Sequence, residues 1–178
     1  MKDNLHTVCL LLGSNIQPEQ NLLRAAALLH QYFPILGVSS VWQSAAIGSD
    51  GPDFLNAAVV VQVVCSRGTL KEQFLRPIET SLGRVRTADK NAPRTMDLDI
   101  LMWDGSLLDE NLWRFAHLAV PAAEVLPALG AVRKSAAIHA AAERLQQLAP
   151  IHKRMDMTIE LGMALPLMRS TYSLPVSS

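Results

Sequence analysis

The residues with the clearest chemical potential lie in one charged stretch of the chain, residues 83–102. Two acids in it, Asp97 and Asp99, alternate with apolar residues, which predicts a β-strand. Because side chains alternate across a strand, both carboxylates are expected on one face, with Leu98 in the core. Carboxylates so placed suit Mg²⁺, which is held by one or two of them together with substrate phosphates. Cationic side chains that could bind those phosphates precede the acids: Arg84, Arg86, Lys90 and Arg94.

A DxD pattern by itself does not establish a metal site, because such short motifs also occur in proteins that bind no metal. The same residues fit an amphipathic edge strand, with its acids in water and solvated arginines beside it. The charged stretch therefore leaves two interpretations open, and the surrounding elements must decide between them.

Composition restricts the classes of protein to which the chain can belong. It has 178 residues, 49% of them hydrophobic, which is enough for one domain with a substantial core. The formal net charge is +0, so the chain lacks the overall positive field expected of a nucleic-acid-binding protein. Any affinity for phosphate must therefore be local.

The cysteines and the N-terminus bear on the compartment. Cys9 and Cys65 both lie in apolar runs, which predicts two buried, reduced thiols more readily than a disulfide, although the sequence leaves their pairing open. The N-terminal residues include an acid, and the apolar run after them is too short for a secretory signal or a membrane span. We therefore expect a cytoplasmic protein with no membrane association.

The order of the predicted elements indicates an α+β fold. Thr69 and Glu72 form a capping box that starts the second of two helices, Pro77 is expected to kink this helix, and Gly83 is expected to end it. The order strand, helix, strand, strand, helix, strand is the ferredoxin-like split βαβ arrangement, an antiparallel sheet with both helices on one face. The predicted strands are residues 7–12, 38–44, 54–64 and 96–103, and the helices are residues 18–33 and 69–82.

The pattern is weaker after residue 107. Ala-rich residues 134–148 predict a further helix. We predict one domain over residues 1–150, followed by a C-terminal extension, residues 151–178. Within the extension, residues 155–161 are expected to be extended, and the Ser- and Pro-containing end, residues 170–178, is expected to be mobile.

Four separated motifs give the chain a resemblance to a known family. LLLGSN, FLNAAV, IETSLGRVR and PRTMDLDIL resemble, in this order between residues 8 and 103, motifs of the 6-hydroxymethyl-7,8-dihydropterin pyrophosphokinases of folate biosynthesis. The resemblance implies the same ferredoxin-like fold. It also implies transfer of the β,γ-diphosphate of ATP to the hydroxymethyl oxygen of the pterin, with release of AMP.

The resemblance assigns roles on the phosphate side. Asp97 and Asp99 correspond to the family's two carboxylates, which bind a pair of Mg²⁺ ions bridging the ATP phosphates, and Asp97 is also a candidate acceptor for the hydroxymethyl proton. Arg84 and Arg94 are expected to contact phosphates through forked donors. Glu79 is equally interpretable as an ordinary helix acid. The other positions on the nucleotide side are Arg86, Lys90 and His117.

The resemblance also implies a pterin pocket. The amide of Asn56 would pair with the pterin ring, a task that suits a side chain with both a donor and an acceptor. Phe54 corresponds to an aromatic of that pocket, although an aromatic in an apolar strand is more often a core residue. The loop that begins at Ser44, with Ala45 and Ile47, would contact the pterin edge through its backbone.

The chain departs from the family pattern at several places. The loop SAAIG lacks the usual proline, Asn91 stands where a tryptophan is frequent, and Ala116 replaces the proline before His117. After His117, the family continues with a segment that carries a phosphate-binding arginine and an aromatic that covers the pterin. Both groups are missing from the corresponding part of this chain. A slower enzyme, a different pterin, and groups borrowed from the C-terminal extension are all compatible with this loss.

These observations favour a Mg²⁺-dependent pyrophosphokinase that acts on ATP and 6-hydroxymethyl-7,8-dihydropterin. One alternative keeps the reaction but changes the reduced pterin, and another is a descendant that binds nucleotide or pterin without turnover. Nucleic-acid binding through residues 84–94 is disfavoured by the charge balance and the scarcity of aromatic residues there. We expect a monomer or a weak homo-oligomer.

Overall fold

A computed structural model of the chain describes residues 4–48, 51–86 and 92–167. In these ranges the backbone forms a seven-stranded antiparallel sheet with helices on both faces. The strands are β1 (His6–Ser14), β2 (Ile35–Val38), β3 (Trp42–Ser44), β4 (Phe54–Val63), β5 (Asp97–Trp103), β6 (Ser106–Leu107) and β7 (Ile151–Lys153).

Helices connect and follow these strands. The longer ones are α1 (Pro18–Tyr32), α4 (Ala116–Val125), α5 (Ser135–Leu148) and α6 (Met155–Leu167). Between β4 and β5, α2 (Arg67–Leu70) continues through a π-helical turn (Lys71–Leu75) into α3 (Arg76–Ser81). Short 3-10 helices lie at Glu110–Trp113 and Leu126–Leu129.

The sheet confirms the predicted fold class. Its order is β6-β5-β1-β4-β3-β7, with β2 also paired to β4, so β1 lies in the middle between β4 and β5. The β-strands and helices up to β5 therefore follow the ferredoxin-like split βαβ order, with α1 and α3 packed on the same face.

Alternation along the strands divides the apolar residues into two cores. Val8, Leu10 and Leu12 of β1 face α1, α3 and α6, whereas Cys9 and Leu11 face α4 and α5. Each face therefore buries an apolar layer, and any cavity at the end of the sheet must lie where a helix stops covering one of them.

The structure corrects two local predictions before β5. The strand predicted at residues 38–44 is interrupted, because the hydroxyl of Ser39 accepts a hydrogen bond from the Ala58 N–H, 2.8 Å away, and separates β2 from β3. The second helix begins at Arg67 and is capped by Ser66, whose Oγ accepts from the Thr69 N–H, so the cap predicted at Thr69 is wrong. The π-helical turn directly before α3 accommodates Pro77, which has no N–H to donate.

The described part of the C-terminal extension, residues 151–167, contains one strand and one helix. β7 pairs with β3 at the edge of the sheet, but residues 155–161 form part of α6, so their predicted extended structure is wrong. Met157 and Leu161 are buried four residues apart, as on one side of a helix, while Met155 and Ile159 are exposed. The predicted mobile end, residues 170–178, lies outside the described residues.

Both cysteine thiols are free. Cys9 is fully buried, and this burial raises its pKa to about 12, whereas Cys65 is partly exposed. Within the described ranges, no helix combines the length and the hydropathy needed to cross a membrane.

Candidate active site

A cavity of about 430 Å³ opens at the end of the sheet, on the face covered by α4. The strands supply its floor, and the opposite wall is formed by the segment before α4 and by the first turn of α4. Its lining residues are Leu11, Gly13, Ser44, Ala45, Ile47, Phe54, Asn56, Arg94, Asp97, Asp99, Asp109, Asn111, Phe115, His117 and Leu118.

Strand register brings the polar floor together. Gly13 of β1 lies opposite Asn56 on β4 and opposite Asp97 on β5. A Cβ atom at Gly13 would lie 3.2 Å from the Asn56 Oδ1, so glycine leaves the space that this amide occupies. Asp99 follows Asp97 on the same face, and Leu98 points into the opposite core, as the alternation predicted.

Asp97 is bound to the arginines that precede it. Arg94 Nη1 donates to Asp97 Oδ2 at 2.6 Å, and Arg84 Nη2 lies 4.0 Å from Oδ1. The guanidinium of Arg94 also lies over the ring of Phe54, 5.9 Å from its centroid. Because the Arg94 N–H donates to Asn15 Oδ1 at 2.7 Å, the backbone at this arginine is fixed to the end of β1.

Arg84 is a largely buried cation that has a hydrogen-bond donor unpaired within the described ranges. Its side chain is 12% exposed, and its Nε is buried without a hydrogen-bond partner among the described residues. Burial lowers the pKa of Arg84, although Asp97 opposes this effect. A buried guanidinium with an unsatisfied donor is favourable for binding an anion beside Asp97.

Glu79 binds two residues of the charged stretch, Leu98 and Arg86. Only 3% of its surface is exposed, and it accepts hydrogen bonds from the Leu98 N–H at 2.9 Å and from Arg86 Nη2 at 2.5 Å. Burial raises the pKa of Glu79, while the bond from Leu98 lowers it. Glu79 therefore connects α3 to the strand that carries both aspartates.

Asp99 is destabilised in its charged form. Its side chain still reaches solvent, but the cavity walls limit its hydration, and they raise the Asp99 pKa to about 6 together with the nearby carboxylates of Asp97, Glu79 and Asp109. Such a concentration of carboxylates favours the binding of a cation.

Asn56 lies on the floor of the cavity. It is 2% exposed, and its Nδ2 donates to Ser44 Oγ at 3.1 Å. Ala45 and Ile47 continue from Ser44 along the rim. The side chain of Ile47 is 52% exposed, so the rim is apolar and open.

An aromatic pair forms the wall opposite the floor. The rings of Phe115 and His117 are stacked with their centroids 5.6 Å apart, and the guanidinium of Arg114 lies 5.3 Å from the Phe115 centroid. Burial lowers the pKa of His117 to about 4, so the imidazole is neutral at physiological pH. The predicted loss of an aromatic concerns the segment after His117, whereas Phe115 lies in the cavity wall two residues before this histidine.

A second cavity, of about 360 Å³, adjoins the first. Asp99 and Asp109 line both cavities. The other lining residues of the second cavity are Arg67, Gly68, Lys71, Leu75, Leu98, Ile100 and Leu108. The site thus has two compartments that meet at carboxylates.

Comparison with protein-family models matches residues 9–127 to the 7,8-dihydro-6-hydroxymethylpterin-pyrophosphokinase (HPPK) family. The match covers more than half of the 178 residues. The chain belongs to the HPPK family.

Three curated relatives of this HPPK family member are each named 2-amino-4-hydroxy-6-hydroxymethyldihydropteridine pyrophosphokinase. The Bacillus subtilis protein is 40% identical over 97 residues, which are 52% of this chain and 57% of that protein. The Synechocystis protein is 31% identical over 129 residues, 65% of this chain and 64% of that protein. The Haemophilus influenzae protein is 30% identical over 115 residues, 62% of this chain and 71% of that protein. The chain thus spans less than two thirds of the first two relatives.

The structure brings together most residues that the HPPK resemblance singled out. Nine line the first cavity: Ser44, Ala45, Ile47, Phe54, Asn56, Arg94, Asp97, Asp99 and His117. Arg84 and Glu79 lie beside Asp97, and Arg86 binds Glu79, but none of these three lines either cavity. Lys90 and Asn91 lie outside the described residues.

The sequence prediction missed six lining residues, of which three are polar or aromatic: Asp109, Asn111 and Phe115. Asp109 carried a recognisable local signal, since its Oδ1 caps a 3-10 helix by accepting from the Asn111 N–H at 2.9 Å. Phe115 carried none, because its place in the wall depends on how α4 crosses the sheet.

Proposed function

We propose that this chain transfers the diphosphate of ATP to the hydroxymethyl oxygen of 6-hydroxymethyl-7,8-dihydropterin and releases AMP. The single observation that carries the proposal is that Asn56 and the pair Asp97 and Asp99 line one cavity. A group that can recognise a heterocycle is thus placed beside groups that can hold a metal–phosphate complex. The relatives described above carry the name of this activity.

The first cavity suits a flat heterocycle with hydrogen-bonding edges. Its volume lies within the range typical of small-molecule sites, about 300–1,000 Å³. Phe54 contributes an aromatic ring from the sheet. We assign His117 to this cavity and not to the nucleotide side that the resemblance implied, because its ring stacks on Phe115 in the opposite wall. Asn56 can donate to and accept from the edge of a pterin ring. Phe115 and His117 thereby replace the aromatic missing after His117.

Asp97 and Asp99 are the residues that would hold magnesium. Among the residues that the structure describes, no group of three or more His, Cys, Asp or Glu side chains could hold a metal ion by itself. Two carboxylates are nevertheless sufficient for Mg²⁺ when phosphate oxygens supply further ligands, and the acid crowding around Asp99 favours a cation there. We propose two ions, which would neutralise charge on the phosphates.

The arginines beside Asp97 would hold the phosphates and align them. Arg94 and Arg84 flank this carboxylate, and the buried Nε of Arg84 has no hydrogen-bond partner in the described part of the chain. Binding of a metal–ATP complex would let both guanidinium groups turn from the carboxylate to phosphate oxygens. Positioning and charge stabilisation supply most of the catalysis of phosphoryl transfer, so a dedicated general base is not required.

The second cavity is the proposed place for the nucleoside of ATP. It meets the first cavity at Asp99, so phosphates lying between the two would pass the metal-binding carboxylates. Leu98 and Ile100 give it apolar walls, and Lys71 and Arg67 give it positive charge at the rim. Two adjoining compartments match a reaction between two substrates.

Incubation of the protein with ATP, Mg²⁺ and 6-hydroxymethyl-7,8-dihydropterin, followed by measurement of AMP, tests the proposal. We expect AMP to accumulate with the wild type, to fall by at least about a hundredfold in Asp97→Ala and Asp99→Ala, and to require the divalent ion. AMP release no greater than in these variants would refute turnover. Calorimetry would then show whether the chain only binds ATP analogue or pterin, and replacement of the pterin side chain would test a different acceptor.

A further inference from the structure

The loop between β3 and β4 forms one rim of the first cavity, through Ser44, Ala45 and Ile47. Its two ends meet, because Ser44 of β3 pairs with Phe54 of β4. β3 has only three residues, so its pairing with β4 alone gives this rim little support.

The C-terminal extension supports β3 from its other edge. β7 pairs with β3, with Ile151 opposite Ser44, and the Arg154 N–H donates to the Val41 carbonyl at 2.8 Å. The Val41 N–H in turn donates to Thr158 Oγ1 of α6 at 2.9 Å. Ile151, Arg154 and Thr158 lie beyond the segment 9–127 matched by the HPPK family.

Arg154 of the extension contacts Gln43, the residue directly before the loop. Arg154 is oriented by Asp156, which accepts from its Nε at 3.0 Å and from its Nη2 at 2.8 Å. Its Nη1 lies 3.4 Å from Gln43 Oε1 and 3.4 Å from Glu19 Oε1 of α1. The Gln43 Nε2 donates to Asp53 Oδ2 at 2.8 Å, so the amide joins the two ends of the loop.

We propose that Arg154 is a positioning residue for the heterocycle-binding rim, acting through Gln43 and Asp53 on the loop that begins at Ser44. Gln43 lies on the opposite face of β3 from Ser44, so Arg154 touches no substrate and acts only through the strand. The proposal rests on the proposed function, because the rim matters for binding only if the cavity takes the pterin.

The test compares Arg154→Ala with Arg24→Ala, a substitution of an exposed arginine on α1. We expect Arg154→Ala to raise the KM for the pterin about three- to tenfold, with the KM for ATP and kcat within about twofold of wild type. Arg24→Ala should change none of these constants. Gln43→Ala should reproduce the effect, and the double variant Arg154→Ala, Gln43→Ala should show no further increase, because both act through one contact.

Amide hydrogen exchange gives a readout that does not depend on turnover. Faster exchange over residues 42–48 and 54–56 is expected in Arg154→Ala but not in Arg24→Ala, with both proteins still folded. An unchanged pterin KM, or an equal change in the KM for ATP, would overturn the proposal, as would unchanged exchange. If the wild type releases no AMP, the proposed function fails, and the exchange measurement alone decides whether Arg154 controls the loop.

Discussion

Glu79 accepts a hydrogen bond from the backbone N–H of Leu98, the residue between the two aspartates, over 2.9 Å. The carboxylate is buried, and its other oxygen accepts from Arg86. One side chain of α3 thus fixes the backbone of β5 between the two acids and orients an arginine of the charged stretch.

Replacement of Glu79 by alanine is therefore expected to destabilise the fold. It leaves the buried Leu98 N–H unpaired, which costs about 1–3 kcal/mol in the free energy of unfolding, whereas Glu79→Gln keeps an acceptor and should cost less. Urea unfolding measures the difference. Glu72→Ala is the matched control, because Glu72 lies on the same helical stretch but pairs with Arg76 at the surface. Equal midpoints for Glu79→Ala and Glu72→Ala would contradict this role.

Asp99 should make the stability of the metal-free protein depend on pH. Its pKa is raised from 3.8 to about 6, so the folded protein binds this proton more tightly than the unfolded chain. The protonated Asp99 therefore adds to the free energy of unfolding; this contribution is complete below pH 3.8 and is lost as the pH rises through about 6. Asparagine imitates the protonated form at every pH.

Asp99→Asn is thus expected to raise the free energy of unfolding at pH 8 by about 1 kcal/mol, a value reduced from the full shift because the side chain is exposed. The gain should shrink at pH 4.5. Urea unfolding in EDTA at both values measures it, with Glu143→Gln, an exposed acid of α5, as the control. An equal gain in the free energy of unfolding at both pH values would show that the cost of the charged Asp99 carboxylate does not cause it.

Local periodicity predicted the β5 part of the site well. Alternation alone placed Asp97 and Asp99 on one face and Leu98 in the core, and the structure shows this arrangement. Strand alternation is an intrinsic property of the backbone, so one segment of sequence is sufficient to predict it. The split βαβ order was predictable for a similar reason, since each element has its own period.

The same reasoning failed where a distant surface selects among apolar residues. Residues 155–161 alternate as in a strand, yet only Met157 and Leu161 are buried, because α1 packs against one side of a helix there. Phe115 was missed for a related reason. Its contribution to the cavity is set by the packing of α4 on the sheet, not by any pattern near residue 115.

His117 is expected to contact the pterin through the face of its neutral ring and not through a positive charge. Burial lowers its pKa to about 4, so the imidazole stays neutral across the working range of pH. We expect His117→Phe to keep a stacked wall and to leave the pH dependence of kcat/KM between about 6 and 9 unchanged in shape. His117→Ala should raise the KM for the pterin about tenfold, as expected for loss of a stacking contact. If the wild-type kcat/KM changes with pH in this range and the change disappears in His117→Phe, this histidine is instead a titrating catalytic group.

Gly13 gives the sharpest test of the position of Asn56. A Cβ at residue 13 would lie 3.2 Å from the Asn56 Oδ1, which is close enough to push the amide away by a few tenths of an ångström. Gly13→Ala is therefore expected to raise the KM for the pterin by about five- to tenfold, equivalent to about 1 kcal/mol, while the KM for ATP stays within about twofold. Steady-state kinetics with each substrate varied in turn measure both constants.

The control for this substitution is Gly162→Ala in α6, where a Cβ would meet nothing within 4 Å. It should leave both KM values unchanged and stabilise the helix by about 0.5–1 kcal/mol. If Gly13→Ala leaves the pterin KM at the wild-type value, then the amide of Asn56 does not bind the substrate in the position that the register of β1 and β4 gives it. If it raises both KM values equally, the added methyl group disturbs the end of the sheet as a whole, because only a local shift of Asn56 can separate the two substrates.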